Sequence, residues 1–216
     1  MYKRNQAELA IAHLVEPDRG APSSGLKTRM KRLLETDRGL GRNPRANDPG
    51  KTNFAFFRDA TPGSGFEVWF SGYETFALAL GLQLMQHNWP QRFAVSILRQ
   101  VRPALEKEHD RILRIDRKTL LDPKEIKRTQ LLGSPAFDTS RPSFLVIVSH
   151  HGLGAAQETE PYACSVQSDL SSAIRWVRDK TKGKGGGSSM FELTVLAHDL
   201  AQALARTTPQ SRGRKS

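Results

Sequence analysis

From Tyr73 to His87 the chain reads YETFALALGLQLMQH, and nearly every position around the helical turn is apolar. Phe76, Leu80, Leu84 and His87 share one side, and Ala77, Leu78 and Leu82 fill most of the rest. A helix apolar over most of its girth has no face to offer to water, so other elements must surround it. The segments on either side therefore have to supply its cover, and the 216 residues leave room for one large domain or two small ones.

Three helices are expected to do this. Asn5 to Val15 carries Ala7, Ala10, Ile11 and Leu14 on its buried side, with Asn5 and Glu8 at capping-box spacing. Leu26 to Leu40 follows the turn-rich stretch EPDRGAPSSG. After the core helix, Asn88 is a candidate cap and Pro90 a first helical residue for a segment to Val101 that buries Phe93, Ile97 and Leu98. Pro103 is expected to start a further helix to Ile115, since proline is tolerated in a first turn and not in an interior. That helix is mostly charged, with a thin seam of Leu105, Ile112 and Leu113. The seam either pairs with a second copy of the chain or covers its own core.

The Leu26–Leu40 helix has two different faces. Leu26, Met30, Leu33 and Leu34 fall at i, i+4, i+7 and i+8, on one stripe. Thr28, Lys31, Arg32 and Glu35 lie opposite, and Lys27 and Arg29 flank the stripe. Ser23 or Ser24 suits its cap, and Gly39 and Gly41 are natural stops. The whole chain has a formal charge of +11. An excess of that size favours a polyanionic partner, nucleic acid or an anionic membrane surface.

After a polar loop from Gly41 to Asn53 come FAFFR (Phe54 to Arg58) and FEVWF (Phe66 to Phe70), joined by DATPGSG. Composition and connection predict a β-hairpin. The order helix, basic helix, hairpin, helix, helix, polar helix resembles the winged helix-turn-helix of MerR-like transcription regulators, over about residues 5–115. Phe70 takes the place of the aromatic residue that closes their hairpin, Ser71 to Glu74 their next helix start, and Ile97 and Leu98 their closing apolar pair. The resemblance implies a duplex-DNA-binding domain. The chain departs from the family at Thr36–Leu40, where an Arg-Tyr-Tyr-like run is usual, and at Glu67, Val68 and Trp69, where the second wing strand usually carries an arginine. Its promoter-distorting mechanism is not carried over.

Residues 117–143 change character and read as a linker, with a short helix from Pro123 to Leu132 capped by Asp122. Beyond it a small α+β domain is expected, at 144–206. FLVIV (Phe144 to Val148) is a buried strand and PYACSVQ (Pro161 to Gln167) a second. Ser168 caps a helix to Lys180 that turns Leu170, Ile174 and Val177 inward. FELTVL (Phe191 to Leu196) reads as a third strand or the start of a helix, its β-branched content favouring strand, and Ala197 to Arg206 as a last helix. Lys180 to Met190, KTKGKGGGSSM, is expected to be a flexible basic loop: it lacks the spacing of a phosphate-binding loop and follows a helix rather than preceding one. The tail 207–216 is basic and expected to be disordered.

No catalytic constellation is visible. His150 and His151 are neighbours at a strand end and point to opposite faces, and neither they nor Cys164 and Asp169 have metal-ligand spacing. Ser149, His150 and Asp169 or Asp199 lack a nucleophile elbow. No apolar run approaches the ~20 residues of a membrane span, MYKRNQAELA is no secretory signal, and a single cysteine suits a reducing, cytoplasmic setting.

The expectation is an α+β chain: an N-terminal winged helix-turn-helix (1–116), then the linker and a small sheet-and-helix domain. It would act as a sequence-specific regulator that binds double-stranded DNA as a homodimer, without catalytic residues, metal or cofactor. Thr28, Lys31 and Arg32 would face the major groove, Lys27, Arg29 and Arg38 the phosphates, and Arg58 and Ser64 the backbone from the wing. An effector or protein partner would bind the C-terminal domain. The competing expectation is a non-enzymatic interaction protein whose basic surface meets RNA or an acidic partner, and an enzyme ranks last.

Overall fold

The computed structural model describes residues 1–58, 68–118, 142–150, 162–182 and 186–208. The expected helix at Pro123 to Leu132, nearly all of the linker, the wing residue Ser64, His151 and the tail from 209 lie outside the described residues. The chain divides into two compact units, Met1–Arg102 with Asp199–Ser216, and Pro103–His198. It passes from the first to the second within one helix and returns within another.

The first unit begins with β1 (Tyr2–Lys3), α1 (Arg4–Val15), α2 (Ser24–Gly39), α3 (Pro49–Thr52), β2 (Trp69–Phe70) and α4 (Gly72–Gln86). The long helix α5 (Gln91–Leu113) starts in this unit and ends in the other. α4 is the core helix: Tyr73 to Leu82 and Leu84 are all buried, and α1, α2 and β2 pack against it. Ser71 Oγ accepts from the Glu74 N–H at 3.1 Å and Glu74 Oε2 accepts from the Ser71 N–H at 2.7 Å, a reciprocal cap. Gly81 lets α4 approach its neighbours. A Cβ there would lie 3.3 Å from both Leu98 Cδ1 and Phe56 Cζ, and 3.4 Å from Leu33 Cδ1.

Local chemistry moved several boundaries. α1 starts at Arg4, where Gln6 Oε1 accepts from the Lys3 N–H at 3.0 Å, so Asn5 is not its cap. Glu8 is occupied by Arg4, at 2.8 Å. Asn88 closes α4 rather than opening α5. It has a φ of 64°, the Asn88 N–H donates to Met85 O and the Trp89 N–H to Leu84 O, a left-handed helix stop. Pro103 lies inside α5 and starts nothing. An interior proline forfeits one backbone bond, but the buried stripe of Ile97, Leu98, Val101, Leu105 and Ile112 runs straight through it. Of the seam, Leu105 and Ile112 are buried within the single chain, whereas Leu113 is exposed.

The expected hairpin is a larger correction. Phe54 to Arg58 forms no strand, and Trp69–Phe70 pairs antiparallel with Tyr2–Lys3 instead. Four residues of FAFFR, Phe54 to Phe57, are buried, and side chains hold their backbone groups: Arg102 Nη1 donates to Phe54 O at 2.8 Å and to Phe57 O at 2.6 Å, while the Phe56 N–H donates to Asp37 Oδ2 at 2.9 Å. Backbone groups engaged in this way are lost to a sheet ladder.

The second unit holds the end of α5, β3 (Phe144–His150), β4 (Tyr162–Gln167), α6 (Leu170–Thr181), β5 (Gly186–Glu192) and the start of α7 (Thr194–Arg206). Its sheet is antiparallel in the order β4-β3-β5. Leu145 to Val148 are fully buried on both faces of the central strand, and α6 packs on β3 and β4. The glycine-rich stretch is in part strand: Gly186 and Gly187 pair with His150 and Ser149. An apolar strand needs backbone partners on both sides, and glycine and serine supply backbone without side-chain demands. Asp169 rather than Ser168 caps α6, through the Ser172 N–H at 2.7 Å, and Ser172 holds its carboxyl below the usual carboxylate range. Ile174 is exposed, whereas Ala173 is buried. Strand β5 ends at Glu192, because its carboxylate turns to cap α7, accepting from the Thr194 and Val195 N–H groups at 2.6 and 2.9 Å.

Candidate nucleic-acid interface

Helix α2 is fixed from three directions. At its start Ser23 Oγ accepts from the Leu26 N–H at 3.0 Å, and Glu16, just after α1, holds Ser23 in turn. Ser23 donates its hydroxyl to Glu16 Oε1 at 2.6 Å and its N–H to Oε2 at 2.9 Å, bonds that keep the Glu16 carboxyl below its ordinary range. Along its length Leu26, Met30, Leu33 and Leu34 are buried. At its end the buried Asp37 accepts from Arg99 Nε of α5 at 2.6 Å, and Arg99 Nη2 donates to Asp37 O at 2.6 Å. Gly41, with a φ of 64°, follows as the left-handed stop.

What remains outside is the polar face. Lys27, Thr28, Arg29, Lys31, Arg32 and Arg38 are all exposed. The Thr28 hydroxyl donates to Ser24 O at 2.8 Å, and Lys31 stands 3.6 Å from Glu35. Such a surface pair contributes little and separates readily. The stripe period thus placed the six predicted helix residues on one solvent-facing element. Arg58 is exposed but on no hairpin.

Sequence reasoning missed two neighbouring sources of charge. Gln91, the first residue of α5, donates to Arg32 O at 3.2 Å and to Thr36 Oγ1, which sets the start of α5 against the flank of α2. Its neighbour Arg92 is exposed there. The loop after α2 carries Arg42 and Arg45 and leads into α3, which carries Lys51, all exposed; the Asn43 N–H donates to Lys51 O at 2.8 Å. No spacing signal marks these residues. The Gln91 bonds set Arg92 beside α2, and Arg42 and Arg45 follow it in the chain.

Among the described residues, no group of three or more His, Cys, Asp or Glu is placed to hold a metal ion, and no helix is long and apolar enough to cross a membrane. No protein-family model, curated protein or solved structure matches the chain.

Proposed function

We propose that this chain is a sequence-specific regulator that binds duplex DNA, with the outer face of α2 as its reading surface. The observation that carries the reading is the division of α2: its apolar stripe and Asp37 are buried, while Lys27, Thr28, Arg29, Lys31, Arg32 and Arg38 are exposed on the same element. A cationic helix held rigidly by its far side suits a major groove, where arginine and lysine pair with guanine edges. The reading keeps the helix-turn-helix part of the MerR-like resemblance and gives up the wing. One short helix reads few base pairs, so a homodimer belongs to the proposal.

The test is duplex binding against salt for the wild type and for Lys31→Ala with Arg32→Ala, on random DNA and on fragments from around the protein's own gene. One fragment is expected to bind far more tightly than random DNA, and the double substitution to remove that preference. Equal binding to all duplexes, unchanged by the double substitution, would sink the reading. It would favour a basic surface that meets RNA or an acidic protein.

A further inference from the structure

The polar face of α2 has two flanks, and α5 begins against one of them. Arg29, Arg32 and Thr36, at i, i+3 and i+7, share one flank, and Lys27, Lys31 and Arg38 share the other. Gln91, the first residue of α5, donates from Nε2 to Arg32 O at 3.2 Å and to Thr36 Oγ1. Its neighbour Arg92 is exposed, as are Arg29 and Arg32. We propose that Arg92 is a phosphate-binding residue: its guanidinium meets one backbone phosphate of duplex DNA beside the Arg29 and Arg32 flank of α2, and Gln91 is the positioning residue that holds it there. The proposal rests on the duplex-DNA reading of α2 and adds a contact that sets the helix in its groove.

Charge and hydrogen bonding both favour this placement. The stretch from Gln91 to Arg102 contains no aspartate or glutamate. The two acids of α2 are engaged elsewhere: Glu35 lies 3.6 Å from Lys31, and Asp37 is buried against Arg99. The junction of α2 with the start of α5 is therefore cationic, and it suits a polyanion. The Gln91 amide spans two atoms one turn apart on α2, so it fixes the backbone that carries Arg92 before any duplex arrives. Only the Arg92 side chain then gives up freedom on binding. A helix seated in the major groove has the sugar-phosphate strands along its flanks, so an arginine beside it meets phosphate rather than base edges. The guanidinium presents its donors in a fixed fork that matches phosphate oxygens. Phosphate contacts set register and orientation and carry no base information, so Arg92 complements the reading residues.

The full chain is tested as the wild type, Arg92→Ala, Gln91→Ala, the two changes together, and Arg114→Ala. The last removes the same charge from an exposed residue just past the far end of α5. Each form is titrated with random duplex and with the preferred fragment across salt, after a thermal melt checks its fold. Arg92→Ala is expected to weaken both duplexes by the same several-fold factor, to leave the preference intact, and to flatten the log–log salt slope by about 0.9, the share of one phosphate. Gln91→Ala is expected to weaken binding several-fold when Arg92 is present and hardly at all once Arg92 is gone, because it acts through Arg92. Arg114→Ala is expected to keep the wild-type slope. An unchanged slope in Arg92→Ala, an equal slope change in Arg114→Ala, or a preference lost with Arg92 overturns the phosphate contact while leaving the α2 reading intact. Equal losses from Gln91→Ala with and without Arg92 overturn the positioning role. A wild type that binds no duplex at low salt overturns both the contact and the α2 reading. If Gln91→Ala melts below the assay temperature, Thr36→Val replaces it, since it removes the hydroxyl that accepts from the same amide.

Discussion

Asp37 is fully buried and still carries its role through charge: its carboxylate binds Arg99 Nε at 2.6 Å and the Phe56 N–H at 2.9 Å. Arg102, also buried, lies 3.7 Å from Glu74 and 5.2 Å from the Tyr73 ring. Buried ions of this kind cost much desolvation and are tolerated because each is paired and hydrogen-bonded. Removing one partner strands the other. Asp37→Ala is therefore expected to destabilise the protein by about 3–5 kcal/mol, read as a lower urea midpoint. Asp37→Leu with Arg99→Met should cost much less than the two single changes together, and simple additivity would show that the pair is not coupled. His109 supplies a pH dependence of the opposite origin. Burial pushes it below its ordinary 6.5 and His198 adds to that, while Asp110 draws it back only in part. The folded state thus holds His109 neutral where the unfolded chain takes up a proton. Its contribution is complete above the unfolded value and declines as pH falls from there through the lowered folded value. The urea midpoint should drop between pH 7.5 and pH 5.5, and drop less in His109→Gln. An equal drop in both would mean that the fold does not perturb this histidine.

At the scale of elements, α5 separates two ideas of what Pro103 does. Within a continuous helix the proline forfeits a backbone bond and crowds the preceding turn, so Pro103→Ala should stabilise the protein by as much as about 3 kcal/mol. At the first turn of a separate helix, the same change would be neutral or harmful. A rise in melting temperature supports the single helix, and a fall contradicts it. The contrast also explains what the sequence made legible. Helices α1, α2 and α4 follow from apolar spacing because 3.6-residue periodicity is a local property, and β3 follows from a run of apolar residues long enough to be a buried strand. FAFFR has the composition of a strand, but its carbonyls belong to Arg102, which lies 48 residues from Phe54. Nothing within the segment announces that. Gly186 and Gly187 look like loop and are strand because β3 needs partners on both sides. For the candidate interface, the outward residues of α2 were readable from the same period that gives its buried stripe. Arg92 was not, since a glutamine bond brings it to α2.

At the scale of the whole molecule, the question is whether the charge of +11 acts as a sum or as a place. A protein this basic attracts polyanions at low salt whatever its fold, so weak binding to DNA alone decides nothing. Position decides it. Lys31 and Arg32 lie on α2 in the first unit, and Arg175 and Arg178 lie on α6 in the second, all four exposed. Removing either pair lowers the net charge by two. If attraction follows the total, Lys31→Ala with Arg32→Ala and Arg175→Ala with Arg178→Ala weaken duplex binding equally at every salt concentration. If the α2 face is the binding surface, the first pair alone loses the preferred fragment. The second pair then stays close to the wild type, with a small uniform loss that disappears above the ionic strength at which the Debye length falls to ~8 Å. Equal losses would remove the physical basis for treating α2 as a reader, because a field that does not depend on where its charges sit cannot distinguish one sequence from another.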